Sequence, residues 1–216
     1  MMIFRQTSQT MELRYDYPDY KRMIEEQGKI FYGCRYKIQP VDDPPLHRMI
    51  TYFIQDVEEA RKENLHLGKG LMLCGRIGCG KTALMQIFAA MSGGEFAPQV
   101  VSTRQIVMDF NSKGHETIRK YSDRAFNPQT SLPIVYCFDG LGSERDGHYF
   151  GEVCNVMAEI LIIRSEMSSP NRIITHATTQ LDAEALEKKY GKNVRSCMRG
   201  MFNLIHFDPE SPDKRY

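Results

Sequence analysis

No stretch of this sequence approaches the ~18–20 consecutive apolar residues that a membrane-spanning helix needs, so no membrane partner is expected. The opening segment, MMIFRQTSQTMELRYDY, lacks the apolar core of a signal peptide, which argues against export. An excess of charge of one sign is missing too. The 28 Lys and Arg residues nearly balance 27 Asp and Glu, for a net charge of +1. Any contact with nucleic acid must then come from a local basic patch rather than from a global field. The six cysteines (Cys34, Cys74, Cys79, Cys137, Cys154, Cys197) form no CxxC pair, and the six histidines include no cluster at zinc-ligand spacing. Cys74 and Cys137 lie in the apolar runs LMLC and IVYCF, where a thiol behaves as a small core hydrophobe. Reduced thiols in a cytoplasmic setting are the expectation. Internal repeats and low-complexity tracts are absent as well.

What is present is ordinary globular composition, with 42% hydrophobic and 25% charged residues over 216 positions. That length holds one sizeable α/β domain with appendages, or two small ones. Residues 1–45 are polar and tyrosine-rich and read as an arm or small subdomain, with a helical stretch at Tyr20–Gln27 and a proline-containing link, QPVDDPP. Residues 46–216 read as the main domain. Helical spacing of Leu46, Ile50, Phe53, Ile54 and Val57 predicts one helix to about Asn64, followed by a short strand, Leu71–Cys74.

Farther along, the pattern predicts helix Lys81–Met91, strand Val100–Ser102, helices Arg104–Phe110 and His115–Ala125, and strand Ile134–Phe138. A long helix over Phe150–Met167 is expected to stop at Ser168-Ser169-Pro170-Asn171, before a strand that begins at Ile173-Ile174 and ends in HATTQ. Helices at Asp182–Tyr190 and near Val194–Met198 and a strand, Phe202–Phe207, complete the pattern. Strands alternating with helices imply a parallel sheet covered on both faces.

Between the first strand of that pattern and its helix lies Gly75-Arg76-Ile77-Gly78-Cys79-Gly80-Lys81-Thr82, which fits G-x-x-x-x-G-K-[ST] at every fixed position. A chance match somewhere in a chain of this length has a probability of about 1%, and the strand-before, helix-after context removes most of that. Glycines let backbone N–H groups turn inward around phosphates without a Cβ in the way. The helix starting at Lys81 directs its N-terminal dipole at the same anion. Lys81 is suited to the β and γ phosphates and the Thr82 hydroxyl to Mg²⁺, so the expected ligand is a nucleoside triphosphate, foremost Mg-ATP.

The second half of such a site is an acidic residue ending an apolar strand. Ile134-Val135-Tyr136-Cys137-Phe138-Asp139 supplies it, and Asp139 is expected to hold Mg²⁺ opposite Thr82. A further carboxylate that polarises the attacking water usually follows, but the next residue is Gly140. Glu144 and Asp146, in the loop GLGSERDG, are the nearby alternatives, with Glu144 the named contributor.

GRIGCGKTALM, FDGLGSE, ITHATTQL and YGKNVRSCMRGMFNLI together resemble the DnaC/IstB-type AAA+ ATPases, which include replicative-helicase loaders and transposition helper ATPases. The resemblance covers roughly residues 46–207. It implies an α/β P-loop NTPase of the AAA+ (ASCE) type: a five-stranded parallel sheet flanked by helices, with the P-loop strand central. It further implies ATP at a subunit boundary of a homo-oligomer, and a replicative helicase or transposase and single-stranded DNA as partners. Against the family pattern, Asp139 stands without its second acid, and Gln180 occupies the position of a sensor that is usually Asn. Asn193 and Cys197 fall where two arginines are usual, with Arg195 and Arg199 flanking them as substitutes. The family's C-terminal helical lid is reduced to PESPDKRY or absent.

The resemblance therefore implies intact Mg-nucleotide binding with slow hydrolysis. A nucleotide-dependent switch that barely hydrolyses ATP is the alternative, and a small-molecule P-loop kinase a more distant one. Two local patches interleave basic residues with aromatics in the manner of a single-strand surface. One is Arg119, Lys120, Tyr121, Arg124 and Phe126. The other is the arm, with Tyr15, Tyr17, Tyr20, Lys21, Arg22, Tyr32, Arg35, Tyr36 and Lys37.

Overall fold

The computed structural model describes residues 16–171 and 173–215. Five strands form one parallel sheet: β1 (Gly70–Cys74), β2 (Gln99–Ser102), β3 (Tyr136–Leu141), β6 (Thr175–Thr179) and β7 (Phe202–His206), in the order β2-β3-β6-β1-β7. The strand leading into the P-loop, β1, is interior and pairs with both β6 and β7, but the middle strand is β6. The expectation of a central P-loop strand is corrected by one position.

Side chains alternate across the sheet as pleating requires. Met72, Tyr136, Phe138, Ala177 and Phe202 enter one buried cluster; Leu71, Leu73, Cys137 and Ile205 enter the other. The first face is covered by α5 (Thr103–Lys113), α6 (His115–Tyr121), α7 (Val156–Asn171) and α8 (Ala183–Met201). The second is covered by α1 (Tyr17–Tyr32), α2 (Asp43–Phe53) and α4 (Lys81–Ser92). Among the described residues, no helix is long and apolar enough to cross a membrane.

Several elements differ from the sequence pattern for identifiable reasons. Helix α1 is longer than Tyr20–Gln27, because Gly28 continues it rather than stopping it. A Cβ at Gly28 would lie 2.1 Å from the Tyr36 ring, so that glycine serves close packing of the returning chain. The single helix expected up to Asn64 is two, α2 and α3 (Val57–Lys62). The break falls at Gln55, with φ 59, and α3 restarts where the Asp56 carboxylate accepts from Glu59 N at 2.9 Å.

No helix starts at Phe150. Residues Gly147–Tyr149 (β4) and Glu152–Cys154 (β5) form an antiparallel hairpin. Its two turn residues, Phe150 and Gly151, both have positive φ, as such tight two-residue connections need. Helix α7 begins only after Asn155, whose side chain accepts from Ala158 N, and it runs through the segment expected to stop it. Helix α8 breaks at Gly191, whose φ of 84 and ψ of 166 are not helical, so the two C-terminal helices expected from the sequence are present as its two segments. Tyr15 of the arm lies outside the described residues.

Candidate functional site

The P-loop links the C-terminal end of β1 to the N-terminus of α4. At the same sheet edge end β3, with Asp139, and β6, with Thr178, Thr179 and Gln180. Parallel strands put all of these ends on one side, the crevice where open α/β sheets bind ligands. The P-loop, Asp139 and Gln180 line one cavity of about 690 Å³, a size in the range of small-molecule sites.

Lys81 is nearly buried, and its Nζ donates to the carbonyls of Gly75 at 2.7 Å and Arg76 at 2.8 Å. Cys79 lies beneath it, fully buried, with Sγ 3.6 Å from the same ammonium. Arg76 turns away from the cavity, its Nη1 donating to the Pro209 carbonyl at 3.0 Å, while Ile77 is on the cavity wall and 59% exposed. Burial pushes the Cys74 thiol at the end of β1 up to about 11, against the opposing fields of Lys81 and Arg195.

The Thr82 hydroxyl donates to Asp139 Oδ1 at 2.7 Å, and the Thr178 hydroxyl donates to the same oxygen at 2.7 Å. Thr178 in turn accepts from Gly140 N at 2.9 Å, and Thr103 donates to the Gly140 carbonyl at 3.1 Å. The pairing of β3 with β6 shifts register between Phe138 and Leu141, so Asp139 and Gly140 sit at a bulge that re-aims the carboxylate toward α4. Gly140 has φ +75, a backbone that disfavours any side chain there. This is a physical reason for glycine where a second acid is usual. Thr82 and Asp139 form an oxygen-only donor pair at the rim of the cradle, the chemistry that suits Mg²⁺.

The other expected catalytic residues divide. Gln180 lines the cavity. Glu144 does not; it is buried under α8, where its carboxylate accepts from Tyr190 Oη at 2.5 Å and from Gly142 N at 2.9 Å. Burial and the Glu144 charge together raise the Tyr190 phenol far above its ordinary range. Lys189 also donates to the Glu144 carbonyl, so this side chain fixes a loop to α8 rather than facing a ligand. Asp146 lines an adjoining cavity with Arg145 and His148.

Arg195 lies on α8 close enough for its charge to act on Cys74, yet outside the cavity wall. Arg199 is exposed at the end of α8, where its carbonyl accepts from Lys69, beside the start of β1 and so at the far end of the strand from the P-loop. Cys197 packs against the core rather than projecting from it.

The basic-aromatic patch at and just beyond α6 has several of its members engaged within the chain. Tyr121 is buried, Arg119 pairs with Asp123 at 3.4 Å, and Arg124 pairs with Glu116 at 2.6 Å. Sequence reasoning passed over Thr178, Tyr32, Asp42, Lys214 and Arg215 as site residues, although the cavity wall includes all five. The run ATT before Gln180 was a legible signal for Thr178. The others meet the P-loop only through tertiary contacts.

The family model described as "ATPase family associated with various cellular activities (AAA)" matches residues 71–197, more than half of the chain. The chain belongs to the AAA family. An ATP-dependent zinc metalloprotease FtsH from Leptotrichia buccalis is 29% identical over 98 residues, covering 45% of this chain and 12% of that protein. This AAA chain therefore spans only a small part of that relative's length. Solved structures similar to it include a DnaC helicase loader, with 19% identity, TM-score 0.45, 73% of this chain and 90% of that chain covered. A DnaI structure has 19% identity, TM-score 0.48, and coverage of 74% and 84%.

Proposed function

We propose that this AAA protein binds Mg-ATP in the cavity between the P-loop and Asp139 and hydrolyses it slowly. We further propose that it acts as an ATPase of the helicase-loader type in DNA replication or mobile-element transactions. The observation that carries the binding reading is the Thr82–Asp139 contact of 2.7 Å at the cradle's rim, where a hydroxyl and a carboxylate are held together by Thr178. Bound there, Mg²⁺ would offset the charge of the phosphates. The chain's own work is to present backbone N–H groups of Gly75–Thr82 to the phosphate oxygens and to add the Lys81 ammonium. Lys81 must exchange its two carbonyl partners for phosphate, a local side-chain motion.

Slow turnover follows from what surrounds the cradle. Among the described residues, the one carboxylate on the cavity wall besides Asp139 is Asp42, and it is tied to Lys214. Glu144 is committed to Tyr190. Gln180 offers an amide for placing water. Neither Arg195 nor Arg199 lines the cavity of its own chain; Arg104 and Arg215 do, Arg215 paired with Asp213 at 2.8 Å, and an arginine from a neighbouring copy would add a group worth ~10³–10⁵ in rate.

The loader role, with a replicative helicase or transposase and single-stranded DNA as partners, rests on the four resembling motifs within residues 46–207. Residues 1–45 are read with it as an arm or small subdomain, of which Ile24 and Ile38 share a cluster with residues of α2 and α4. The engagement of Glu144 and the backbone of Gly140 also favour a second reading, a nucleotide-dependent switch with almost no turnover. Steady-state ATPase measured across protein concentration, with and without single-stranded DNA, separates the two. The ATPase reading expects slow turnover that rises with both variables. Tight ATP binding with flat, near-zero turnover supports the switch, and absence of ATP binding overturns both.

A further inference from the structure

After β7 the chain takes no regular structure, and residues Asp208–Arg215 run back across the P-loop as a strap. The crossing is held at several points. Phe207 N donates to the Cys74 carbonyl at 2.8 Å, and Lys214 N donates to the Gly78 carbonyl at 2.9 Å. Asp213 packs so closely on the loop that a Cβ at Gly78 would lie 2.1 Å from its carboxylate oxygen. Lys214 Nζ then donates to the Cys79 carbonyl at 2.9 Å and to Asp42 Oδ1 at 2.5 Å. Asp42, in the turn that precedes α2, is 95% removed from solvent by side-chain area (5% exposed), and Lys214 is 18% exposed. One ammonium thus joins strap, P-loop and the segment following α1.

We propose that this strap is a working part of the nucleotide site, with Lys214 a positioning residue for the phosphate-binding loop. A trans peptide is planar, with its C=O and N–H pointing in opposite directions. Holding the Cys79 carbonyl on Lys214 therefore fixes the Gly80 N–H in the opposite direction, and that N–H is one of those the cradle would offer to phosphate. Gly80 has φ +99, so without that anchor its peptide planes have wide freedom. A cradle whose N–H groups are aimed before the ligand arrives loses less entropy on binding. Arg215, on the same cavity wall, is held by Asp213, to which its Nη2 donates at 2.8 Å. The inference rests on the nucleotide-binding reading above and adds its second component.

The test uses the full chain and a fluorescent ATP analogue, with affinity and nucleotide-free thermal stability read together. Lys214→Met alone leaves the buried Asp42 charge without its partner and destabilises the fold, so the deciding variant is Asp42→Asn with Lys214→Met, which removes both charges. The expected result is a double variant that regains nucleotide-free stability but binds the analogue roughly tenfold more weakly, the scale of a charge-assisted hydrogen bond. Lys214→Arg, which keeps a donor to Cys79, is expected to retain most of the affinity. Wild-type affinity in the stable double variant, or tighter binding, overturns the positioning role while leaving the nucleotide reading intact. No binding by the wild type overturns the parent reading and this inference with it.

Discussion

At the scale of single residues, Lys81 and Asp139 have separable jobs. Lys81 supplies charge, and its present partners are two carbonyls of its own loop, which can turn to solvent when it is truncated. Lys81→Ala is expected to weaken ATP binding by roughly 100-fold with little change in thermal stability. Undiminished affinity by calorimetry would remove the assignment of the cradle. Asp139 accepts two hydroxyl bonds through one oxygen, an arrangement that an amide oxygen can also make. Asp139→Asn should therefore fold normally and lose Mg²⁺-dependent ATP binding far more than binding measured in a chelator. Equal losses in the two conditions would make the carboxylate a purely structural group.

Elements are fixed by a few special residues. Arg164, on α7, is fully buried, and Nε donates to Thr175 Oγ1 while the terminal nitrogens donate to the carbonyls of Tyr121, Ile134 and Ile174. It ties α7 to the end of α6 and to the entries of β3 and β6. Burial lowers its guanidinium to about 10, so it stays charged at neutral pH. Arg164→Met leaves those acceptors buried without donors and is expected to destabilise by about 3 kcal/mol in denaturant titration. The bulge at Gly140 is the second such device. Restoring an acid there with Gly140→Asp puts a Cβ on a positive-φ backbone, and that Cβ would meet Ser143 Oγ at 3.0 Å. That variant is expected to lose roughly 1–2 kcal/mol of stability without gaining turnover. A faster ATPase from the single change would show that the loop rearranges at little cost.

For the molecule as a whole, stability should depend on pH through a histidine in the core. His176, on β6, accepts from Leu71 N at 3.0 Å and packs against Tyr52 and Phe53. Burial first, and the Arg164 charge second, push its imidazole from the usual 6.5 down to about 3. Between those values the unfolded chain binds a proton that the folded chain refuses. Stability is therefore fully present above pH 6.5 and falls as the pH drops toward 3. Chemical denaturation from pH 7 to about 4.5, where most carboxylates remain ionised, should show this decline, and His176→Gln should flatten it. An unchanged slope in that variant would place the acid sensitivity elsewhere.

The sequence by itself determined whatever depends on neighbours along the chain. The P-loop is eight consecutive residues between a strand and a helix; short apolar runs placed all five sheet strands, and helical spacing placed most of the helices. Asp139 was legible because an apolar strand ended on it. Only the tertiary structure decided which distant groups meet the cradle, because no local pattern encodes a contact across more than a hundred residues. Glu144, a plausible catalytic acid in its loop, is drawn away by a tyrosine on α8. Gly28 lies just past the helical stretch that the sequence marks, and only the Tyr36 ring against it shows why the helix continues through a glycine. Lys214 is unremarkable in a polar C-terminal run, and becomes part of the site only because β7 lies beside β1 and delivers the strap across the loop that β1 begins.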